Sequence, residues 1–289
     1  MDERPLVSHI SDTARWVAAY RAGESERSDA LFHDPYARRL AGAVGQAIVD
    51  GIPGGQSTSW PMVARTVLMD EIILRVIEEG VDTVVNLAAG LDTRPWRLDL
   101  PTALRWIEVD LPDLMEWKQS QMLDATPRCQ LTQLVADLAD AGARRQALDQ
   151  ATVGARKTLV ITEGLLVYLE SDQVTRLAHD LAAQAAVQLW LTDLASPGLL
   201  KFLERSWGPT LKAGNAPFKF APPESTTFFE PLGWQELEWR SMFHESIRIG
   251  RHMRFAQVFA FLNSFAPARK REEFFRYSGV TLLRRQAGD

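Results

Sequence analysis

Four acidic residues give the first chemical signal in this chain. Asp110, Asp137, Glu163 and Asp193 each close a short apolar run, the runs being Leu104–Val109, Gln130–Val135, Thr158–Thr162 and Val187–Thr192. Strands of an open parallel sheet present their carboxyl ends to a ligand crevice. One acidic strand end commonly just caps the next helix. Several on one edge suit a polar ligand with hydroxyl and amine donors. A fifth run, Thr83–Leu87, ends in the small-residue turn Ala88-Ala89-Gly90, which lets backbone approach a ligand closely. No full GxGxxG is present, so a phosphate cradle is weakly supported. Asp110 lies 20 residues beyond Gly90, where an acid would take ribose hydroxyls. That spacing serves a nicotinamide cofactor and an adenosyl sulfonium equally. The missing glycines tilt the choice to the adenosyl ligand, which has no pyrophosphate to cradle.

The elements that must position these residues alternate. Helical periodicity separates the runs, over about Leu114–Leu123, Ala141–Gln150 and Gln173–Ala185, and strand–helix alternation predicts a parallel sheet covered on both faces. Residues 1–80 read as a helical N-terminal cap: Ser11 and Asp12 precede a helix carrying Trp16, Val17 and Tyr20, Asp34-Pro35 reads as an N-cap with proline at the first helical position, and a long helix spans Pro61–Glu79. Residues 81–195 form the cofactor-binding core. Pro and Gly punctuate residues 196–236, which read as a lid or insertion. Residues 237–289 complete the sheet, with strands at Leu237–Met242 and Val280–Arg284 around a helix over His244–Phe265.

Bulk properties narrow the function classes. A chain of 289 residues with 46% hydrophobic and 24% charged residues can bury a sizeable core. A net charge of -5 argues against a partner bound by phosphate neutralisation; the basic run Arg269, Lys270, Arg271 and Arg276 reads as a solvated helix face. The single cysteine, Cys129, excludes an intrachain disulfide and a thiolate metal cluster and reads as a small buried hydrophobe. The opening MDERPLVSHISD has no apolar segment of a signal peptide, and no run approaches the ~18 residues of a membrane span. A cytoplasmic protein with no nucleic-acid and no membrane partner is expected.

The stretch VVNLAAGLDTRPWRL (Val84–Leu98) resembles the first motif of the leucine carboxyl methyltransferase family, and most of all its bacterial branch, which includes polyketide-type O-methyltransferases. IEVDLP (Ile107–Pro112), VADL (Val135–Leu138), TEGLLVYL (Thr162–Leu169), FFEPLGW (Phe228–Trp234) and the upstream SDTARWVAAYRAGESERSDALFHDPYARRLAG continue the resemblance in order over most of the chain. It implies a Rossmann-like class I methyltransferase, α/β, with a mostly parallel seven-stranded sheet and helices on both faces, using S-adenosyl-L-methionine. It further implies that Arg65 pairs with the methionine carboxylate, a match a guanidinium fork suits. Ala88, Ala89 and Gly90 would lie under the methionine and ribose, Asp110 with Leu111 would take the ribose hydroxyls, Asp137 with the Leu138 amide would hold the adenine, and Glu163 would face the methionine amine or the acceptor. The family often has glycine where this chain has Ala88, which leaves the loop geometry open.

The implied reaction is O-methylation of a small-molecule carboxylate or hydroxyl. A carboxylate is already ionised and needs no general base, whereas a hydroxyl profits from one. None of His9, His33, His179, His244 and His252 has a catalytic spacing, so the carboxylate needs fewer assumptions. No metal site can be assembled from spacing. Tyr168 reads equally as a cofactor or acceptor contact and as helix packing. Trp190 reads as core, and Trp207, Trp234 and Trp239 either as walls of an acceptor pocket or as core. Two competing functions stand beside this one. A nicotinamide-dependent oxidoreductase would need a phosphate-tolerant glycine turn, and a non-catalytic binding protein would keep the acidic edge without turnover.

Overall fold

The computed structural model describes residues 10–52, 54–213 and 217–286, with the backbone alone at residues 10–11, 56–57 and 206–213. Three helices come first: α1 (Ile10–Ser25), α2 (Ala37–Gly51) and α3 (Trp60–Glu78). The alternating core follows as β1 (Thr83–Leu87), α4 (Arg94–Arg97), β2 (Arg105–Asp110), α5 (Pro112–Gln121), β3 (Gln130–Val135), α6 (Ala141–Thr152), β4 (Thr158–Thr162), α7 (Ser171–Ala183) and β5 (Val187–Ala195). After it come α8 (Pro197–Ala213), a 3-10 segment at Ser225–Leu232, β6 (Trp234–Ser241), α9 (Met242–Arg248), α10 (Ala256–Ser264), α11 (Ala268–Phe275) and β7 (Ser278–Arg285).

The seven strands form one sheet in the order β3-β2-β1-β4-β5-β7-β6. The first five pair in parallel, and β7 runs antiparallel between β5 and β6. The strand order reverses between β1 and β4, so their carboxyl ends open a crevice at the switch point. Alternate side chains feed opposite faces. Val85, Ile107 and Val160 pack with Leu148 of α6 and Leu177 of α7, while Val84, Trp106 and Ile161 pack with Leu68, Ile72 and Val76 of α3. Both faces being covered, β1 and β4 are buried along their whole length and read in sequence as unbroken apolar runs. A third cluster joins α1 and α2 to Leu91, Trp96 and Leu114, seating the N-terminal helices beside the crevice. β7 passes Trp239 so closely that a Cβ at Gly279 would lie 2.5 Å from the indole, which restricts that position to glycine.

Several expectations are corrected. Asp193 does not end its strand, because β5 continues to Ala195 through antiparallel pairing of Asp193 with Val280. The stretch after Ser196 opens with the 17-residue helix α8, begun by Pro197, whose missing N–H costs nothing at a helix start. Residues 244–265 are not one helix: α9 stops before Gly250, which has φ +69, and α10 begins only at Ala256. Asp34 is not an N-cap, since α2 begins at Ala37. Its buried carboxylate accepts from Tyr36 N–H at 3.1 Å on Oδ1 and takes Arg21 Nε at 2.9 Å and Thr93 Oγ1 at 2.6 Å on Oδ2, tying α1 to the turn after β1. Of the basic run, Arg269, Lys270 and Arg271 lie on α11, which buries none of its residues, and Arg276 follows the helix and pairs with Glu236. No helix among the described residues is long and apolar enough to cross a membrane.

Candidate active site

At the switch point a cavity of about 1460 Å³ opens over the carboxyl ends of the strands. It exceeds the ~300–1,000 Å³ of an ordinary ligand pocket, so two molecules can share it. Arg65, Ala88, Ala89, Gly90, Asp110, Leu111, Asp137, Leu138 and Glu163 all line it, as do Tyr168 and Asp193.

The turn after β1 forms the floor. Ala89 N–H donates to Val109 O at 3.2 Å, and Gly90 N–H donates to Asp110 Oδ2 at 2.6 Å, while Leu111 N–H donates to Asp110 Oδ1 at 2.7 Å. One amide on each oxygen fixes the plane of this carboxylate and leaves further lone pairs for a ligand. Burial pushes its pKa up, against the pull of the two amides. Ala88 has φ +54 and Gly90 φ +53. The left-handed conformation of Ala88 costs about 1 kcal/mol, a cost that glycine at this position would avoid. Asp137, on the exposed rim, accepts from Ala139 N–H at 2.9 Å.

A buried charge network forms the wall. Arg65 does not present an open fork: Nε bonds Glu163 Oε1 and Nη1 bonds Asp193 Oδ2, each at 3.0 Å. Gly164 N–H donates to the other oxygen of Asp193 at 2.6 Å. Glu163 also accepts from Arg94 Nη1 at 2.7 Å. Arg94, 2% exposed, reaches Asp92 at 2.8 Å and Asp70 at 2.6 Å, and Asp70 is shared with Arg97 at 2.6 Å. Burial pushes the Glu163 carboxyl up, but Arg94 and Arg65 outweigh it and hold it below the usual range. Asp92 behaves likewise, depressed against its burial by Arg94, Lys118 and Arg97. Three arginines (Arg65, Arg94, Arg97) face four carboxylates (Asp70, Asp92, Glu163, Asp193), so the wall carries a net charge of -1. Asp70, Asp92, Arg94 and Arg97 had not been singled out from sequence. For the last three the signal was the density of charge in LDTRPWRL, which apolar flanks force inward; Asp70 lies apart on α3.

The other half of the cavity is apolar. Leu199, Phe202 and Leu203 of α8, Phe218 and Phe220, and Phe259 and Leu262 of α10 face it. The Tyr168 ring lies 5.5 Å from that of Phe218, and its hydroxyl bonds Thr13, so it joins the wall to α1. No histidine among the described residues lines the cavity; His244 bonds Ser241 Oγ at 3.0 Å, and His9 lies outside the described residues. Trp190 and Trp234 are core, their rings 5.4 Å apart. Trp239 packs under Arg276 and bonds Phe275 O, and the Trp207 side chain lies outside those described. Cys129 is buried, with its thiol pushed up to about 11 by that burial.

Known proteins share this architecture. Residues 14–182 match the model of the leucine carboxyl methyltransferase family. A Frankia alni protein, provisionally named an S-adenosyl-L-methionine-dependent methyltransferase, is 32% identical over 86% of this chain and 92% of its own length. A Parafrankia protein with the same provisional name is 34% identical over 69% of this chain, and the match spans 64% of that relative's length. A Thermobifida fusca crystal structure, provisionally described as a methyltransferase, superposes with a TM-score of 0.61 at 14% identity, covering 98% of this chain and 96% of its own.

Proposed function

Because this chain belongs to the leucine carboxyl methyltransferase family of S-adenosyl-L-methionine-dependent methyltransferases, we propose that it methylates a carboxylate oxygen on a small apolar molecule. The observation that carries the reading is one cavity with two unlike halves, an acidic sheet edge and an aromatic chamber. S-adenosyl-L-methionine carries a sulfonium, an ammonium and a carboxylate, a net single positive charge, which suits a wall with one surplus negative charge. A dinucleotide with its pyrophosphate does not suit that wall, and the turn at Ala88 offers no glycine-rich cradle for it.

The cofactor supplies a methyl group already bonded to a good leaving group. The protein's task is alignment. Asp110, its plane fixed by two amides, holds the ribose hydroxyls. Asp137 and Leu138 hold the adenine at the rim. Glu163 and Asp193 meet the ammonium, and Arg65, anchored between them, turns its remaining edge to the carboxylate. Every carboxylate of the wall is tied to arginine, which leaves none as a strong base. An acceptor that arrives ionised needs none. The chamber between α8 and α10 gives it apolar and aromatic walls.

Calorimetric titration with S-adenosylmethionine, S-adenosylhomocysteine and NAD comes first. Binding of both adenosyl ligands and not of NAD supports the cofactor assignment, and binding of NAD alone overturns it. Labelled-methyl transfer to a panel of apolar carboxylic acids and matched alcohols then tests the acceptor. Transfer to the alcohols alone would sink the carboxylate assignment.

A further inference from the structure

The outer surface of α10 is the least expected feature of this molecule. Phe255, Val258, Phe259, Phe261, Leu262 and Phe265 are each more than half exposed, Phe265 reaching 74%. Within α10 only Ala256 is buried. At 100° per residue these side chains sweep a continuous apolar stripe along the helix. Isolated exposed apolar residues are ordinary, but a contiguous patch of this kind marks an interaction site.

The flanks say what covers it. From Met253 to Arg271 the chain holds four basic residues, Arg254, Arg269, Lys270 and Arg271, and no acidic one, although its net charge is -5. Arg254 lies over the Phe255 ring at 4.8 Å, and Arg269 has only an exposed pairing with Glu273, too weak to neutralise it. A phenylalanine-rich helix face bordered by arginine and lysine is the pattern of a helix lying in the interface of an anionic bilayer. A symmetric contact between two copies would oppose this basic run to itself. Phe259 and Leu262 belong to the exposed stripe and to the cavity lining alike, so the stripe borders the cavity mouth.

We propose that α10, with the basic start of α11, docks the cavity mouth on an anionic lipid surface. The helix lies flat, with its phenylalanines among the acyl chains and Arg254, Arg269, Lys270 and Arg271 at the headgroups. An apolar ligand then passes between bilayer and chamber without crossing water. This surface stands whatever the cavity binds, and the proposal runs against the sequence expectation of no membrane partner.

The test is sedimentation of the full chain with vesicles of phosphatidylglycerol mixed equally with phosphatidylcholine, and with vesicles of phosphatidylcholine alone. The expected result is binding to the mixed vesicles, about tenfold weaker on phosphatidylcholine alone and weakened by salt. The double variant Phe261→Glu, Phe265→Glu should bind the mixed vesicles at least about tenfold less. Its melting temperature and its affinity for S-adenosylhomocysteine should not change, since neither residue lines the cavity. Equal sedimentation of the parent and the variant, or none of either, would overturn the proposal. So would a dimer in sedimentation velocity that the double variant abolishes, because it would give the face to a second copy.

Discussion

The two halves of the cavity are built on opposite principles. Along the sheet edge, Arg65, Arg94, Asp70, Asp92, Glu163 and Asp193 lie buried or nearly so and hold one another at 2.6–3.0 Å. Across the cavity, α10 buries one residue and leaves its phenylalanines in the open. The first arrangement fixes geometry at a cost in desolvation that only mutual pairing offsets. The second fixes little and accommodates much. The contrast teaches where precision is needed: around the group that must be aligned, and less around an apolar body that has only to be sheltered.

The strongest way to break that contrast is Arg94→Ala. It takes the shared cation from Asp70, Asp92 and Glu163, leaves Asp92 with no arginine bonded to it among the described residues while Arg97 and Arg65 keep the other two, and should cost about 3–5 kcal/mol, read by urea denaturation. A loss under about 1 kcal/mol would mean that the wall is not the rigid half. Asp110→Ala removes a carboxylate expected to take two charge-assisted hydrogen bonds, each worth ~1.5–3 kcal/mol. S-adenosylhomocysteine should bind at least about tenfold more weakly in calorimetry, with the fold intact, and an unchanged affinity would remove Asp110 from the site.

Acid should act on the wall as well. Glu163 and Asp92 have folded pKa values below their unfolded ones. Their pairing therefore stabilises the fold fully above the ordinary carboxylate range and is lost as pH falls through the folded values. Glu108 and Asp110 are shifted up and work in the opposite sense, regaining stability as they protonate, so the decline should steepen only below about pH 4. Denaturation midpoints across an acid series check this, and the steep limb should flatten in an Arg94→Met variant.

On the apolar side, Phe259→Ala, at a side chain 52% exposed, should change stability by no more than about 0.5 kcal/mol; a loss comparable to that of Arg94→Ala would erase the contrast. Ala88→Gly should stabilise by about 1 kcal/mol or less, since it relieves the left-handed alanine but frees the unfolded chain. A melting temperature that falls would show that the Ala88 methyl packs usefully.

The limits of β1, β3 and β4 were legible to the residue: β1 and β4, buried on both faces, leave unbroken apolar runs bounded by polar turns, and the edge strand β3 mixes polar and apolar residues up to Val135. The nine candidate site residues, drawn largely from the family resemblance, fall on one cavity because parallel topology brings strand ends together however far apart they lie in the chain. What escaped the sequence was long-range. Arg65 meets Asp193 across 128 positions and Arg94 meets Glu163 across 69, and no local pattern reports such a pairing. Asp34 looked like a cap because Asp-Pro usually is one; its Oδ1 does accept from Tyr36 N–H, but α2 begins only at Ala37, and its Oδ2 takes Arg21 and Thr93, 13 and 59 positions away. The proline-dotted stretch looked irregular because Pro197 was read as a breaker, when at the first turn it starts α8.

The position of β7 also sets an order of assembly. It is the last strand in the chain, but it lies between β5 and β6. While the protein is being synthesised, β6 leaves the ribosome with no neighbour to pair with, and β5 keeps a bare edge until Ser278–Arg285 slides in antiparallel to both. The five parallel strands can condense early, because each finds its partner already made. The final insertion waits on the last stretch of sheet, and during that interval the open edge of β5 is where a nascent chain would most readily capture a stray strand.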